Sequence, residues 1–188
     1  DIPQDDCLSP FASYVQRAFV WNGPTKCQKI RITHIDNHSP NFVIEDGVLY
    51  SSDRTRLIYC FVEKSSFVVP KSVTIIGPFA FCLQKSLRMI YLHDGITTIC
   101  TAAFMACRSL TQIVIPKQVK NINCDTFDGC TSLCNVTIPD GAESIEHNAF
   151  RGCRSLSQIT LPNSLKTIYG FEGCSSLREI DIPAGVEN

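Results

Sequence analysis

The sequence lacks several features that would place it in a common class of protein. Its 188 residues contain no apolar run near the roughly 18 residues of a membrane-spanning segment, so no membrane span is expected in this chain. Neither sign of charge is in surplus, because 17 Lys and Arg residues stand against 18 Asp and Glu residues. Non-specific binding to nucleic acid or anionic lipid needs a basic surplus, so neither partner is expected.

Motifs for catalysis and cofactor binding are also missing. There is no Cys-x-x-Cys or His-Glu-x-x-His spacing for a metal, and no glycine-rich motif for a phosphate or dinucleotide. The Gly-x-Ser-x-Gly pattern of many hydrolases is absent as well. The four histidines are scattered along the chain: His34, His38, His93 and His147. We therefore expect a non-enzymatic protein without a cofactor or metal. An enzyme built on one exposed, reactive cysteine is the remaining alternative.

What the chain does contain is a repeat of about 23 residues. Its phenylalanines recur at steps of 23, 23, 23 and 21 residues, at Phe81, Phe104, Phe127, Phe150 and Phe171. The shared pattern is Phe-x-x-Cys-x-Ser-Leu-x-x-Ile-x-Ile-Pro, with Gln84 replacing the cysteine of the first copy. The prolines keep the same step at Pro70, Pro116, Pro139, Pro162 and Pro183, with His93 in the remaining slot. Such a repeat predicts a solenoid, because one unit cannot bury its apolar face alone and stacked units can.

Each column of the repeat has a physical reading. The alternation at the end of Leu-x-x-Ile-x-Ile predicts a short strand with Ile pointing inward, paired in parallel with its neighbours about 4.8 Å away. The proline ends the strand because it has no N–H. A second apolar pair, such as Val119 and Ile122, starts a turn or a second short strand on the adjoining side. Phe and Cys then lie on the return segment, where the ring closes the core.

These motifs resemble the BspA-like subclass of leucine-rich repeat proteins, known from the cell surfaces of bacteria and parasitic protists. Its pattern is the 23-residue period with Ala-Phe-x-x-Cys-x-Ser-Leu-x-x-Ile-x-Ile-Pro, and the upstream stretch NFVIEDGVLYSSDRTRLI is similar to its leading hairpin. The resemblance covers about residue 41 to the C-terminus. It implies an α/β repeat solenoid, a right-handed superhelix with a parallel concave sheet. It also implies a surface or secreted protein that acts in adhesion by binding host or neighbouring-cell proteins.

We divide the chain into an N-terminal flanking segment (1–40), a leading hairpin (41–66) and a solenoid of about five to six repeats (67–188), the last incomplete. Ser9 and Pro10, followed by apolar residues at helical spacing, predict a helix over about 10–20. Ile30, Ile32 and Ile35 suggest a strand, and Glu45-Asp46-Gly47 predicts a hairpin turn. Helix and hairpin together would cap the N-terminal end. The start at Asp1 and the stop within a repeat suggest a processed chain whose array continues or is covered by another chain.

Eleven cysteines stand out in this composition, and four of them share one repeat column: Cys107, Cys130, Cys153 and Cys174. We expect this column to be a buried structural ladder of small apolar side chains with weak S–H donors. Two other pairs are candidate disulfides, namely Cys100 with Cys124 and Cys7 with Cys27. Because eleven is odd, at least one thiol is unpaired within the chain.

Glycines stand beside this column at Gly129, Gly152 and Gly173. Leu83 and Ala106 occupy the same place in the earlier copies. We therefore expect that a positive φ is not required at this position.

The residues between the inward positions of each strand should face the concave side and form the partner-binding site. They run from apolar and aromatic, through amide and hydroxyl, to acidic: Met89, Tyr91, Gln112, Val114, Asn135, Thr137, Gln158, Thr160, Glu179 and Asp181. Asn135-Val136-Thr137 is also a glycosylation sequon. The expected partner is a protein, such as a host or extracellular-matrix protein, and the expected location is the cell surface or outside the cell. The alternative is an intracellular scaffold in the cytoplasm that docks one fixed partner. The sequon favours the first and the many thiols the second.

Overall fold

The computed structural model describes residues 19–21, 27–29 and 40–187. This part of the chain forms a stack of about five turns built from short strands. The strands are β1 (Phe19–Trp21), β2 (Cys27–Lys29), β3 (Phe42–Glu45), β4 (Val48–Ser51), β5 (Arg56–Cys60), β6 (Ser66–Val68), β7 (Ile75–Ile76), β8 (Met89–Tyr91), β9 (Thr98–Ile99), β10 (Gln112–Val114), β11 (Asn121–Ile122), β12 (Asn135–Thr137), β13 (Ser144–Ile145) and β14 (Thr167–Ile168).

The solenoid prediction is confirmed, whereas the helical part of the α/β class is not. No helix occurs among residues 19–21, 27–29 and 40–187. Residues 10–18 of the predicted helix, and residues 30–35 of the predicted strand, lie outside the described residues. Residues 19 and 20, predicted to end the helix, belong instead to β1, which pairs antiparallel with β2. The Phe-Val-Trp sequence of β1 explains this correction, because aromatic and β-branched side chains favour extended backbone.

An antiparallel hairpin leads into the stack. β3 and β4 pair around Asp46 and Gly47, whose φ values of 49° and 73° are those of the tight turn that Asp-Gly predicts. β4 pairs antiparallel with β5, and β5 then pairs in parallel with β7. β5 is therefore the strand at which antiparallel pairing gives way to the parallel stack.

Two sides of the stack carry parallel strands. The first sheet has the order β6-β8-β10-β12, and Ile113 lies beside Val136 one repeat later. The second side holds β5-β7-β9 followed by β11-β13-β14, with Ile122 beside Ile145. The inward side chains of both sides are buried, since Ile113, Ile122 and Ile145 expose 2% or less of their surface. The alternation read from the sequence therefore assigns the core correctly.

The third side of each turn carries the Phe and Cys columns. Successive rings of Phe81, Phe104, Phe127, Phe150 and Phe171 stack with centroids 5.3, 5.6, 5.3 and 5.3 Å apart. The thiols of the column donate to the carbonyl of the phenylalanine one turn earlier, at 3.0 to 3.3 Å, in Cys107, Cys130, Cys153 and Cys174. Gln84 fills the same slot and donates to the Cys60 carbonyl at 2.7 Å. Each thiol therefore satisfies a backbone oxygen in a buried corner.

The expectation about the glycine column is wrong. Leu83 and Ala106 have φ values of 60° and 58°, close to the 71° of Gly129 at the same position. All turns therefore adopt the left-handed conformation here, and two of them do so with a side chain. Leu83 and Ala106 pack against a small apolar cluster that includes Cys82 and Met105, and these contacts offset the backbone strain.

The last turn, which is two residues shorter, depends on one glycine. Gly170 has φ of 101°, and a Cβ there would lie 2.5 Å from the Ala149 nitrogen and 2.7 Å from the Glu146 oxygen. Only glycine fits this corner. This shorter turn keeps Phe171 in the ring stack, and the Cys174 thiol still donates a hydrogen bond to the Phe150 carbonyl.

Candidate functional site

The outward side of the first sheet, which we call the strand face, presents two columns of side chains. Its strands fix the columns in register, because Met89 lies beside Gln112 and Gln112 beside Asn135. Six of the ten predicted residues lie in paired strands, namely Met89, Tyr91, Gln112, Val114, Asn135 and Thr137. The other four, Gln158, Thr160, Glu179 and Asp181, are exposed but lie beyond the last paired strand.

The structure adds a strand whose outward residues are missing from the predicted set. β6 extends the first sheet by one turn at its N-terminal end, with Val68 beside Tyr91 and Ser66 beside Met89. The signal was present in the sequence, since Phe67-Val68-Val69-Pro70 matches the Ile-x-Ile-Pro end of the later copies. Ser66 and Val68 therefore belong to the strand face.

Three exposed apolar residues in successive strands form what we call the apolar stripe. Val68, Tyr91 and Val114 expose 70%, 52% and 63% of their surface. The Tyr91 hydroxyl and the Gln112 amide each lie 3.7 Å from the Met89 sulfur, so neighbouring side chains hold one another in place. Single exposed apolar residues are ordinary, but an aligned set on a regular sheet is a surface suited to burial against a partner.

The apolar stripe ends with Val114, because Thr137 takes the same position in the next strand. From there on the strand face is polar and then acidic. The next two turns carry the same sequence pattern in residues 157–161 and 178–182, which we call the open rungs. They form no strand. Two cavities lie here, one of about 410 Å³ between Thr137 and Thr160 and one of about 600 Å³ between Thr160 and Asp181. The strand face thus has an apolar, closed part and an acidic, grooved part.

The sequon lies between these two parts. Asn135 and Thr137 are both exposed and both point away from the core, as alternate residues of β12 must. An oligosaccharide on Asn135 would stand on the strand face itself. Glycosylation of this residue stays a prediction.

The buried cysteine column is poorly suited to chemistry. Burial raises the pKa of the Cys130 thiol well above its ordinary value, and burial also raises the pKa of Cys153 and of Cys174. A thiol with a raised pKa is neutral at physiological pH, whereas a nucleophile or metal ligand must be the thiolate. Cys134 is half-buried, and its thiol donates to the Thr111 carbonyl at 3.3 Å. Across residues 40–187 no three acidic, cysteine or histidine side chains gather as metal ligands would.

The fold and this face define a leucine-rich-repeat solenoid with one regular exposed sheet. The sequence matches the model of the BspA type leucine rich repeat region, in six copies over residues 56–170. That match covers more than half of the chain, and the chain therefore belongs to the BspA-type leucine-rich repeat family. No curated protein matches the sequence. The described residues contain no helix that is long and apolar enough to cross a membrane.

Solved structures share the fold. A leucine-rich repeat protein from Eubacterium ventriosum is 27% identical, with a TM-score of 0.65 over 80% of this chain and 48% of that one. The leucine-rich repeat protein of T. pallidum is 26% identical, with a TM-score of 0.52 over 81% of this chain and 63% of that one. The pneumococcal vaccine antigen PcpA is 23% identical, with a TM-score of 0.68 over 80% of this chain and 42% of that one, a likeness of fold alone. This chain spans about half the length of these solved relatives.

Proposed function

We propose that the strand face binds a protein, and that the chain is a non-enzymatic recognition module. The observation that carries this proposal is the apolar stripe, where Val68, Tyr91 and Val114 stand exposed in adjacent, hydrogen-bonded strands. A rigid sheet loses little conformational freedom on binding, so apolar area buried on it converts efficiently into affinity. Leucine-rich repeats are a common scaffold for protein interaction, which supports the same assignment.

The location that fits this function best is the cell surface or the medium, in adhesion to host or neighbouring-cell proteins. Membership of the BspA-type family supports it, and so does the exposed sequon at Asn135. An intracellular scaffold that uses the same face is the second candidate. It is favoured by the neutral, buried thiols of Cys130 and Cys153, which need no oxidising compartment.

Photo-crosslinking tests the binding face directly. We would replace Tyr91 by p-benzoylphenylalanine, expose the protein to cell-surface and matrix extracts, and identify the adducts by mass spectrometry. The matched control carries the same group at Gln118, which is exposed but lies outside the first sheet. A specific adduct at Tyr91 only is the expected result.

The identified protein is then titrated against a double variant, Tyr91→Ser with Val114→Ser. We expect at least a tenfold loss of affinity with unchanged unfolding, because both side chains are exposed and support no core contact. Equal adducts at both positions, or unchanged affinity of the double variant, would move the binding site off the strand face.

Peptide mapping of the natively produced protein without reduction tests the location. A glycan on Asn135, or a disulfide that includes Cys7 or Cys27, would place the chain on the secretory route. A bare Asn135 with all eleven cysteines as thiols would favour the intracellular scaffold.

A further inference from the structure

Charge is distributed unevenly along the stack, although the chain as a whole is nearly neutral. Counted in whole 23-residue units, residues 62–130 carry seven Lys and Arg against four Asp and Glu, whereas residues 131–188 carry four against seven. The turns that hold β6, β8 and β10 are therefore basic, and the later turns are acidic. Because the apolar stripe lies on β6, β8 and β10, it is exposed in a positively charged region.

Few carboxylates of the basic turns lie near the strand face. Two of the four belong to the segment of the Phe column on the third side. Of the other two, Asp94 is balanced by Lys117 in a salt bridge of 3.2 Å, and Glu63 accepts a hydrogen bond from the Ser86 hydroxyl at 2.8 Å. Glu63 is thus the single carboxylate left to oppose the cations around the stripe.

Three exposed cations border the N-terminal ends of β8 and β10, and we call them the basic margin: Lys85, Arg88 and Arg108. Arg88 directly precedes β8. Its N–H donates to the Ser65 carbonyl at 2.8 Å, and its carbonyl accepts from the Thr111 N–H at 3.1 Å. The backbone of Arg88 is therefore fixed in the middle of the three strands. It precedes Tyr91 by three residues, about 10 Å along an extended strand.

The other two members of the basic margin occupy the same position in successive repeats. Lys85 and Arg108 each lie in a tight turn that leads into a strand, as in the bond from the Leu110 N–H to the Cys107 carbonyl at 3.1 Å. No cation of the margin takes part in a salt bridge within residues 40–187. The charge of the margin is therefore available to a partner.

The basic margin and the apolar stripe end at the same turn. In the turn of β12, Thr131 takes the position of Arg108, just as Thr137 takes that of Val114. Farther along, the outward columns themselves become acidic, as at Asp181. Exposed apolar surface and unpaired positive charge therefore coincide in the first three turns of the strand face.

We propose that these three turns bind an acidic surface of the partner protein, in which carboxylates surround an apolar patch. This inference rests on the proposed function and deepens it, because it names the chemistry of the partner. The apolar stripe would cover the patch, and the basic margin would pair with the carboxylates at its rim. Charges at the rim of an interface act mainly on the association rate and on its salt dependence.

The test uses three synthetic polypeptides of equal length as probes, with biolayer interferometry on the full chain. They are a random copolymer of Glu and Tyr, poly-Glu, and a random copolymer of Lys and Tyr in the same ratio. We expect the Glu–Tyr copolymer to bind at least threefold more tightly than poly-Glu, because its rings can cover the stripe. The Lys–Tyr copolymer should bind at least tenfold more weakly than the Glu–Tyr copolymer.

Two matched triple variants place the charge effect in the basic margin. The margin variant combines Lys85→Gln, Arg88→Gln and Arg108→Gln. The control variant removes the same charge from exposed positions of the acidic turns by combining Arg154→Gln, Lys166→Gln and Arg178→Gln. The margin variant should slow association of the Glu–Tyr copolymer about tenfold and reduce its salt dependence, and the control should change the rate less than twofold. Both should unfold like the unsubstituted chain.

Three outcomes would overturn the inference. Equal slowing in the two triple variants would show a response to net charge alone. Tighter binding of heparin than of the Glu–Tyr copolymer, unaffected by Tyr91→Ser with Val114→Ser, would assign these turns to a sulfated polysaccharide. Salt-sensitive dimers that are lost in the margin variant would assign the basic margin to contacts between copies of this chain.

The acidic surface and the proposed function fail in different measurements. Tyr91→Ser with Val114→Ser should weaken binding of the Glu–Tyr copolymer at least threefold and leave binding of poly-Glu unchanged. If a partner crosslinked at Tyr91 binds the margin variant as it binds the unsubstituted chain, the acidic surface is refuted and the protein-binding face stands. If the substitutions in the stripe change neither partner nor copolymer binding, both proposals fail.

Discussion

The paired strands and the open rungs share one sequence pattern but differ in structure. From β6 to β12 the inward residues Ile90 and Ile113 are buried and the backbone forms a parallel ladder. In the open rungs Ile159 and Ile180 are half-buried, Ile182 is 54% exposed, and no ladder forms. Both regions nevertheless keep the ring stack and the thiol bonds. The repeat is therefore held in register by its Phe and Cys columns, and strand pairing on the first side is a separate property.

The largest expected effect comes from a charge in the closed core. Ile122→Asp or Ile145→Asp would bury a carboxylate without a partner on the second side, at a cost of about 4 kcal/mol or more. Urea unfolding should show either variant largely unfolded. The matched change in the open rungs, Ile182→Asp, should lie within about 0.5 kcal/mol of the unsubstituted chain. Equal loss at all three positions would contradict the difference between the regions.

The ring stack should weaken towards the open rungs. Phe127 contacts a ring on each side and is fully buried, whereas Phe171 has one stacked neighbour and is half-buried. We expect Phe127→Ala to cost about 3–5 kcal/mol and Phe171→Ala roughly half as much. Thermal unfolding of the two variants under one buffer measures the ratio. A larger loss at Phe171 would show that the last turn, rather than the middle, holds the stack together.

The thiol column predicts a loss of stability at alkaline pH. Burial raises the pKa of Cys153 above its ordinary value of 9.0, so the unfolded chain releases this proton first and gains stability as the pH rises past 9.0. Between pH 8 and pH 10 the folded state should lose about 1.4 kcal/mol through this one thiol. Cys153→Ser keeps a donor for the Phe127 carbonyl but does not titrate. Over the same pH range its free energy of unfolding should therefore fall by about 1.4 kcal/mol less than that of the unsubstituted chain. Parallel pH profiles of the two proteins would argue against a buried neutral thiol.

The smallest effect compares the left-handed position in two neighbouring turns. A Cβ added at Gly129 meets no atom closer than 3.7 Å, so Gly129→Ala adds backbone strain alone, at about 1 kcal/mol. Ala106→Gly relieves the same strain but also removes a methyl group that packs against the Cys82 and Met105 cluster and frees the unfolded chain, so the net stabilisation should be only about 0.5 kcal/mol. Differential scanning calorimetry of both variants shows whether each change lowers or raises the stability of the folded chain. Matching signs would mean that packing, not backbone conformation, decides this column.

The period, the two strand positions and the buried columns are all predictable from the sequence, because each depends on which residues recur at 23-residue steps. The left-handed backbone at Leu83 and Ala106 is not predictable in this way. The strain of this conformation is offset there by tertiary contacts of the two side chains with a neighbouring cluster. The open rungs are not predictable either, because Ile159 and Ile180 carry the same pattern as their paired counterparts. Of the strand face, the two columns are predictable from the 23-residue step, but the predicted set lacks Ser66 and Val68, the outward residues of the first strand, where Phe67 replaces the usual Ile.

The contacts of the Phe and Cys columns have a genetic consequence. Each turn contacts the next through the same ring stack and the same thiol-to-carbonyl hydrogen bond. Adding or deleting one 23-residue unit therefore restores the same contacts between the turns on either side. Unequal crossing-over between copies can therefore lengthen or shorten the array in a single event without creating a mismatched core. Because the exposed residues of each unit travel with it, such events also reorder the chemistry displayed along the strand face.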